Sequence, residues 1–495
     1  MTPIAVILTI LGYFALIYGI SRLASRDSSN AAFFSGGRNQ RWWVVAIAMI
    51  GSCMSGVTFV SVPGMVGVSG FGYLQMCLGF IAGYLVIAFV LTPLYFRLRV
   101  ISIYQYLEQR FGMASYRTGA WFFFISKMLG ASVRLFLVCL TLQLLVFGPL
   151  GLPFWLNALV NVAIVLAYTY RGGVKSLIWT DVLKTGVMIL SVVLTLVFIA
   201  RALQITDLFS AIADSGLSRV FWLDDVNHPQ YFWKQFLGGL FVVIATTGMD
   251  QDLMQRTLSC KDYRDSQKNL VVSSLLQVVV IALFLCLGVL LQLYANRFGI
   301  AASGDRLFPA VATGVGGNAG GLPLAVGILF VLGLVSCAYG AGGSALTALT
   351  TSFTVDILSV KGRDEHQVRR LRGGVHIAMA VLMAVTIIVF ERLNNTSAID
   401  AVYRLASYTY GPILGMFAFG ILTRRQLRDR WAPVVCVAAP LLCLVLDLNS
   451  ARWLGGYHFS YELLLLNAAL TFLGLLCAAK RPAAAGKTGA AGASD

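Results

Sequence analysis

The chain has 495 residues, of which 58% are hydrophobic and only 12% are charged, and its mean hydropathy is +0.80. This composition excludes a soluble globular domain, in which about a quarter of the residues carry a charge. The formal net charge of +16 would suit a nucleic-acid partner, so the positions of the basic residues must decide between nucleic acid and membrane.

Apolar segments long enough to cross a membrane follow one another along almost the whole chain. A spanning helix needs roughly 20 apolar residues. We predict one all-α polytopic membrane protein with about 13 transmembrane helices, numbered here as segments 1 to 13: 4–23, 43–67, 73–96, 119–147, 153–170, 178–202, 233–255, 269–295, 322–354, 373–391, 398–423, 432–447 and 460–479.

The loops between these segments differ in charge. If the amino terminus lies outside, the cytoplasmic loops carry most of the basic residues, for example Arg22, Arg26, Arg38 and Arg41. The longest outside loop, 203–232, holds four aspartates. Cytoplasmic loops of membrane proteins are enriched in Lys and Arg. We therefore predict an integral protein of the cytoplasmic (inner) membrane, with its carboxyl terminus in the cytoplasm, lipid as a partner and no nucleic acid.

Cysteine and histidine indicate neither a disulfide framework nor a metal centre. The nine cysteines lie within the segments apart from Cys260, no CxxC pair occurs, and the four histidines are scattered. We therefore predict no disulfide and no resident cofactor. A membrane enzyme would need a nucleophile–base pair or a metal cluster in the spans, and the sequence offers neither, so we predict no enzyme activity.

Segment 2 is interrupted near its middle. Its sequence, WVVAIAMIGSCMSGVTFVSVPGMVGV (43–68), places Gly51, Ser52, Ser55, Gly56 and Thr58 in an otherwise apolar run. Secondary transporters use broken helices to present carbonyl oxygens to a cation and half-helix ends to a substrate. A stripe of small residues also suits close packing of neighbouring helices. These residues alone leave both interpretations open.

The cytoplasmic loop SIYQYLEQRFG (102–112) is amphipathic rather than apolar. Ile103, Tyr106, Leu107 and Phe111 recur at helical spacing. This pattern predicts a short helix that lies on the membrane surface.

Charged residues inside the apolar segments are functional candidates, because a charge in the bilayer is costly. Asp252 precedes Arg256 by four residues and Asp181 precedes Lys184 by three, so each pair is predicted to form an ion pair on one helix face. Lys127 is close enough to the end of segment 4 for its ammonium to extend toward the interface.

Arg134 differs from these residues because it lies well inside segment 4, on the same helix face as Lys127. Its guanidinium needs either an internal carboxylate, for which Asp250 and Asp181 are the candidates, or the carboxylate of a bound solute. The sequence leaves both partners open.

Several motifs give the chain a family resemblance over segments 1 to 11. They are FFSGGRNQRWW (33–43), SGVTFVSVPG (55–64), SIYQYLEQRFG (102–112), YRGGVKSLIWTDVLKTGVM (170–188), QDLMQR (251–256) and ALTALTTSFTVDIL (345–358). In these motifs the chain resembles the sodium/solute symporter family, whose members carry galactose, sialic acid, proline, pantothenate or iodide. The resemblance favours a broken helix over a pure packing face in segment 2.

The resemblance implies the fold of the leucine transporter LeuT, with two inverted repeats of five helices. On this chain the repeats would be 43–202 and 203–425, and their first helices, segments 2 and 7, would be the interrupted pair. Residues 1–42 would form a preceding helix and loop. Residues 426–479 would add two helices, and 480–495 would be a disordered cytoplasmic tail.

The resemblance also implies where ligands bind. The family's substrate lies between the broken helices and segments 4 and 9, and sodium binds beside the same break. Carried over to this chain, the substrate-binding residues are Cys53, Ser55, Thr58, Tyr73, Gln75 and Arg134. The sodium ligands are the carbonyls of Gly51, Met54 and Cys337 at a principal site, and Asp181 with Ser344 at a second site.

The principal sodium site departs from the family pattern. Relatives usually have two serines where this chain has Gly340 and Ala341, and one serine of the second site falls on Gly343. Sodium is a hard cation that requires oxygen ligands, which these side chains lack. We therefore predict that sodium binds weakly or not at all at the principal site, and that any remaining coupling runs through the second site.

These features predict a secondary active transporter that imports a small organic solute by alternating access. Arg134 favours an anionic solute, such as an acidic sugar, over a neutral one. The alternatives are a proton-coupled symporter or a uniporter of the same fold, and a transport-dead solute sensor. The sequence leaves open whether Na+ or H+ is the coupling ion, and it does not give the oligomeric state.

Overall fold

The computed structural model describes residues 3–24, 40–98, 102–170, 173–314, 323–360, 362–393 and 398–479. Within these ranges the chain is built from helices and contains no strand. The first part of the motif at 33–43 and the predicted tail at 480–495 lie outside the described residues.

The helices are numbered α1 to α19 in chain order. They are α1 Pro3–Ala24, α2 Trp42–Cys53, α3 Gly56–Ser69, α4 Tyr73–Leu98, α5 Gln105–Arg110, α6 Met113–Phe147, α7 Phe154–Thr169, α8 Gly173–Ala202, α9 Leu208–Asp214, α10 Phe232–Gly248, α11 Gln251–Thr257, α12 Tyr263–Phe298, α13 Leu307–Thr313, α14 Leu324–Ile357, α15 Glu365–Leu393, α16 Ala398–Thr409, α17 Gly411–Leu422, α18 Ala432–Trp453 and α19 Leu463–Ala478.

Eight of these helices are long and apolar enough to cross a membrane, and the number rises to 11 if each of three bent pairs counts as one span. Two shorter apolar helices, α7 and α19, accompany them. The all-α polytopic architecture is confirmed. Each of the 13 predicted segments overlaps a described helix, while 13 as the number of spans stays a prediction.

Both predicted interruptions are present. The axes of α2 and α3 differ by 65° at Met54 and Ser55, and those of α10 and α11 differ by 73°. The second break has a clear cap, because the Asp250 carboxylate accepts hydrogen bonds from the backbone N–H groups of Asp252 at 2.9 Å and Leu253 at 3.4 Å.

A third bend, of 45°, lies between α16 and α17 and was not predicted. Pro412 stands in the first turn of α17, directly after Gly411. A proline lacks the backbone N–H that would continue the hydrogen-bond ladder of α16, so a new helix starts there.

The predicted surface helix forms as α5, but its apolar side chains pack into the protein. Leu107 is fully buried, and the ring of Tyr106 lies 5.3 Å from that of Phe417 on α17. Arg110 Nη2 donates a hydrogen bond to the Thr423 carbonyl at 2.8 Å. The amphipathic pattern therefore reflects contact with α6 and α17 rather than a helix lying on lipid.

Small residues allow α2, α8 and α14 to approach closely. A Cβ added to Gly51 would lie 2.6 Å from both the Asp181 carbonyl oxygen and Thr185 Oγ1. A Cβ added to Gly340 would lie 2.8 Å from the Gly51 carbonyl oxygen. Thr185 Oγ1 also donates to the Ile47 carbonyl at 2.9 Å, which ties α8 to α2. The interrupted stretch is therefore both a broken helix and a packing face.

Candidate functional site

A cavity lies between the two broken helices and helices α4, α6 and α16. Its wall is about equally polar and apolar, with aromatic and aliphatic side chains beside hydroxyl, amide and charged groups. The lining residues used below are Ser52, Cys53, Phe80, Tyr84, Lys127, Arg134, Asp250, Asp252, Ala341, Tyr403 and Tyr410. A concave site in which polar groups converge beside apolar surface is a candidate site for a small molecule, and the high polar share here suits a polar or charged one.

Three of the four charged side chains in this wall are paired. Lys127 Nζ lies 2.9 Å from Asp250 Oδ2 and 3.1 Å from Asp252 Oδ2. The Tyr410 hydroxyl donates to Asp250 Oδ2 at 2.8 Å. Lys127 therefore does not extend to the interface, as its position in the sequence had suggested. Instead it links α6 to the break between α10 and α11.

Arg134 is the fourth charged side chain of the wall, and it is only partly buried. Within the described ranges it has no ion pair and no hydrogen bond. The two carboxylates considered as internal partners are engaged elsewhere, since Asp250 pairs with Lys127 and Asp181 pairs with Lys184 and Arg256. Its guanidinium is thus available to a solute in the cavity.

A second polar network lies behind the cavity, centred on Asp181 of α8. Asp181 Oδ1 lies 3.1 Å from Lys184 Nζ, and Oδ2 lies 3.0 Å from Arg256 Nη2. The Ser52 hydroxyl donates to Oδ2 at 2.9 Å. The guanidinium of Arg256 also contacts the Ser344 hydroxyl. The carboxylate is therefore saturated by groups of the protein itself.

Arg256 joins this network to the Lys127, Asp250 and Asp252 network in the cavity wall. Its Nη1 pairs with Asp252 Oδ1, which confirms the predicted ion pair on the face of α11. The predicted pair of Asp181 and Lys184 is also present. Together the two networks hold three basic and three acidic side chains, all at most 8% exposed, so the buried charges balance without an added ion.

The remaining predicted substrate residues lie around the cavity in different ways. Cys53 lines it beside Arg134. The Tyr73 hydroxyl forms a 2.6 Å hydrogen bond with the hydroxyl of Tyr403, which is part of the wall. Gln75 is fully buried and serves the outside loop instead, with Nε2 donating to the Gln230 carbonyl at 2.9 Å.

Ser55 and Thr58 do not line the cavity, because they begin the second half of the broken helix. The backbone N–H of Ser55 donates to Thr58 Oγ1 at 3.4 Å. These residues shape the break rather than the cavity wall. The aromatic residues Tyr403 and Tyr410 are wall residues that sequence reasoning missed, and only the unrecognised bend after α16 could have pointed to them.

Comparison with known proteins places this architecture in a family. Residues 33–429 match the family model described as the Sodium:solute symporter family. The chain belongs to this family. It is 24% identical over 420 residues to the Sodium/iodide cotransporter of Homo sapiens, with 81% of this chain and 62% of that protein covered. It thus spans less than two thirds of that relative.

Two sialic acid symporters match this chain over more of their own length. Identity with the Sodium/sialic acid symporter NanT of Aliivibrio fischeri is 24% over 427 residues, covering 81% of this chain and 79% of that protein. A solved structure, described as a substrate-bound outward-open state of a Na+-coupled sialic acid symporter, matches with a TM-score of 0.79. Its identity is 19%, and 96% of this chain and 99% of that chain are covered. The LeuT-like fold of the family is confirmed, and the family consists of transporters rather than enzymes.

Membership of the symporter family implies sodium and a solute as the transported partners, so the predicted sodium positions can be tested for fit. Gly340 and Ala341 offer no side-chain oxygen. The Gly51 carbonyl also lies so close to Gly340 that a serine there would need a backbone shift, since its Cβ would be 2.8 Å from that oxygen. At the second position, Asp181 and Ser344 both contact Arg256.

Gly343 tests how closely α14 packs against α7. A Cβ at this position would overlap the Tyr168 hydroxyl, which donates to the Tyr339 carbonyl. Gly343→Ser, which introduces the serine that the family resemblance implies at this position, is therefore expected to destabilise the protein by about 1–3 kcal/mol through overpacking. The measurement is the Tm of the purified protein in detergent. Gly186→Ser on α8 is the matched control, because a Cβ there meets no atom within 4 Å. An equal Tm for both variants would contradict the close packing.

Proposed function

We propose that this protein is a secondary transporter that carries a small organic anion across the cytoplasmic membrane by alternating access. Arg134 binds the anionic group of the solute in the cavity between the two broken helices. The cavity beside the interrupted pair supports this proposal, because such transporters bind their substrate between broken helices near the membrane midplane.

The unpaired guanidinium of Arg134 carries this proposal. A cation at membrane depth costs roughly 2.5–3.5 kcal/mol on insertion scales unless it is compensated. The three acidic and three basic side chains of the two buried networks compensate one another, so Arg134 adds one uncompensated positive charge at the cavity. A carboxylate can satisfy a guanidinium through two parallel hydrogen bonds.

The wall beyond Arg134 suits an organic body rather than a bare ion. Four aromatic side chains line the cavity: Phe80, Tyr84, Tyr403 and Tyr410. Aromatic side chains supply apolar contact and, in the case of Tyr, a hydrogen-bonding handle. The relatives named above are described as carriers of iodide and sialic acid, which are both anions. Both observations support an acidic sugar or a similar organic acid over a neutral solute.

The test is uptake by purified protein in proteoliposomes. The panel contains N-acetylneuraminate, glucuronate, short monocarboxylates, galactose and proline, each radiolabelled and supplied with and without sodium or proton gradients. We expect saturable uptake of at least one organic acid and none of galactose or proline. Uptake of a neutral sugar alone would contradict the anion assignment. Binding of a solute without any uptake would favour the transport-dead sensor.

A further inference from the structure

Lys184 is a fully buried lysine beside the predicted principal sodium site. Its side chain is 1% exposed, and its ammonium pairs with Asp181 and lies 4.9 Å from the ring centroid of Tyr168. The point where a Cβ of Gly340 would stand is 3.4 Å from Lys184 Cδ and 2.8 Å from the Gly51 carbonyl oxygen. The Lys184 side chain therefore meets the Gly51 carbonyl of the broken helix at Gly340 of α14, which has no hydroxyl group.

The second predicted sodium position has a similar occupant. Arg256 is 1% exposed and places one nitrogen against both Asp181 Oδ2 and the Ser344 hydroxyl. These two groups are the side-chain ligands that the family resemblance assigns to sodium. A guanidinium thus makes the contacts that the ion would make.

Sodium does not fit this arrangement. It would need oxygen ligands, but α14 presents Gly340 and Ala341, and the Asp181 oxygens already accept from Lys184, Arg256 and Ser52. An added cation would also lie close to two fixed positive charges. Since the buried acidic and basic groups already balance, sodium would enter a site with no compensating negative charge.

We propose that Lys184 and Arg256 are built-in replacements for the coupling cations, and that this protein moves its solute without sodium. The inference rests on the proposed transport function and departs from the sodium coupling usual in the family. The Lys184 side chain lies where α8 meets α14 and the end of α2, and its ammonium pairs with Asp181 of the same helix. An ion that binds neither conformation preferentially cannot shift the balance between them, so sodium has no influence on the transport cycle.

Sodium binding tests this proposal without a solute. The Tm of the purified protein is measured in sodium chloride and in choline chloride at equal ionic strength, and radioactive sodium binding is measured in parallel. We expect the parent protein to show neither a sodium-specific rise in Tm nor saturable sodium binding. A saturable sodium response of the parent protein overturns the proposal, whatever the variants do.

Lys184→Gln removes the built-in cation and supplies an amide oxygen in its place. We expect this variant to gain saturable sodium binding and a sodium-specific rise in Tm of about 2 °C or more. Lys234→Gln is the matched control, because Lys234 is also buried, with its ammonium 3.1 Å from the His458 carbonyl, but lies far from Asp181 in the chain and outside its network. A folded Lys184→Gln protein that responds to sodium no more than Lys234→Gln overturns the proposal.

Uptake separates this inference from the proposed function. In proteoliposomes, replacing external sodium by choline is expected to change the rate of organic-acid uptake by less than about twofold. Uptake that requires sodium overturns the built-in cation and leaves the transport function intact. Failure to find any transported solute counts against the proposed function, while the sodium-binding result still decides the role of Lys184.

Discussion

Arg134→Lys is expected to weaken binding of the transported anion about tenfold, and Arg134→Ala about a hundredfold. Lysine keeps the positive charge but cannot form the two parallel hydrogen bonds of a guanidinium. Hydrogen bonds to charged groups contribute about 1.5–3 kcal/mol, and about 1.4 kcal/mol corresponds to a factor of ten in affinity. The measurements are Kd by isothermal titration calorimetry and KM for uptake.

The stability of the same variants distinguishes a solute-binding role from a structural one. Because Arg134 has no ion pair within the described residues, its removal leaves no carboxylate unpaired. The Tm of Arg134→Ala without solute is therefore expected to equal or exceed that of the parent. Arg201→Lys on the exposed end of α8 is the matched control and should bind the anion normally. Parent affinity in Arg134→Lys, or a clear loss of Tm in Arg134→Ala, would contradict the assignment.

Local sequence rules predicted the features that lie on a single helix. Apolar segments of suitable length located the helices. Small and polar residues indicated an interruption in segment 2, and the family resemblance decided for a broken helix there and implied the break in segment 7. The pairs Asp252 with Arg256 and Asp181 with Lys184 followed from spacings of four and three residues, because such neighbours share a helix face. Periodicity and composition are sufficient for contacts of this kind.

Contacts between helices could not be predicted in the same way. Arg256 reaches Asp181 across 75 residues, and Lys127 reaches Asp250 across 123. Their meeting depends on the rotation and depth of each helix, which the close approaches at Gly51 and Gly340 help to set. Local spacing therefore predicts a helix-face partner for Arg256 and Lys184 and an interfacial position for Lys127, but not their contacts across helices. The prediction that Asp181 and Ser344 lie together did not include Arg256, whose guanidinium contacts both.

The bounds of the two inverted repeats, 43–202 and 203–425, stay a prediction for a related reason. The family resemblance implies a break in the first helix of each proposed repeat, and both breaks are present. The additional bend between α16 and α17 lies in the last helix of the second proposed repeat, where Pro412 restarts the helix. A break alone therefore does not identify the first helix of a repeat, and the symmetry rests on more than the positions of proline and glycine.

Asp181→Asn is expected to cause the largest loss of stability, about 3–5 kcal/mol. Asp181 is fully buried, and its carboxylate pairs with the Lys184 ammonium. An asparagine at this position would leave that buried ammonium without a carboxylate. The measurement is the Tm of the purified protein in choline chloride. Asp224→Asn is the matched control, since its pair with Arg219 is exposed and such pairs contribute at most about 1 kcal/mol.

The double variant Asp181→Asn with Lys184→Gln tests the cause of this loss. If the penalty arises from the unpaired ammonium, removing the charge should recover a large part of the stability, and the two changes should be strongly non-additive. Arg256 would retain Asp252 as a partner in both proteins, which keeps the rest of the network in place. Additive losses would instead show that the Asp181 carboxylate stabilises the protein through its contacts with Ser52 and Arg256, with Lys184 contributing independently. In that case the ammonium would not depend on the carboxylate, and the balance of buried charge would not govern this site.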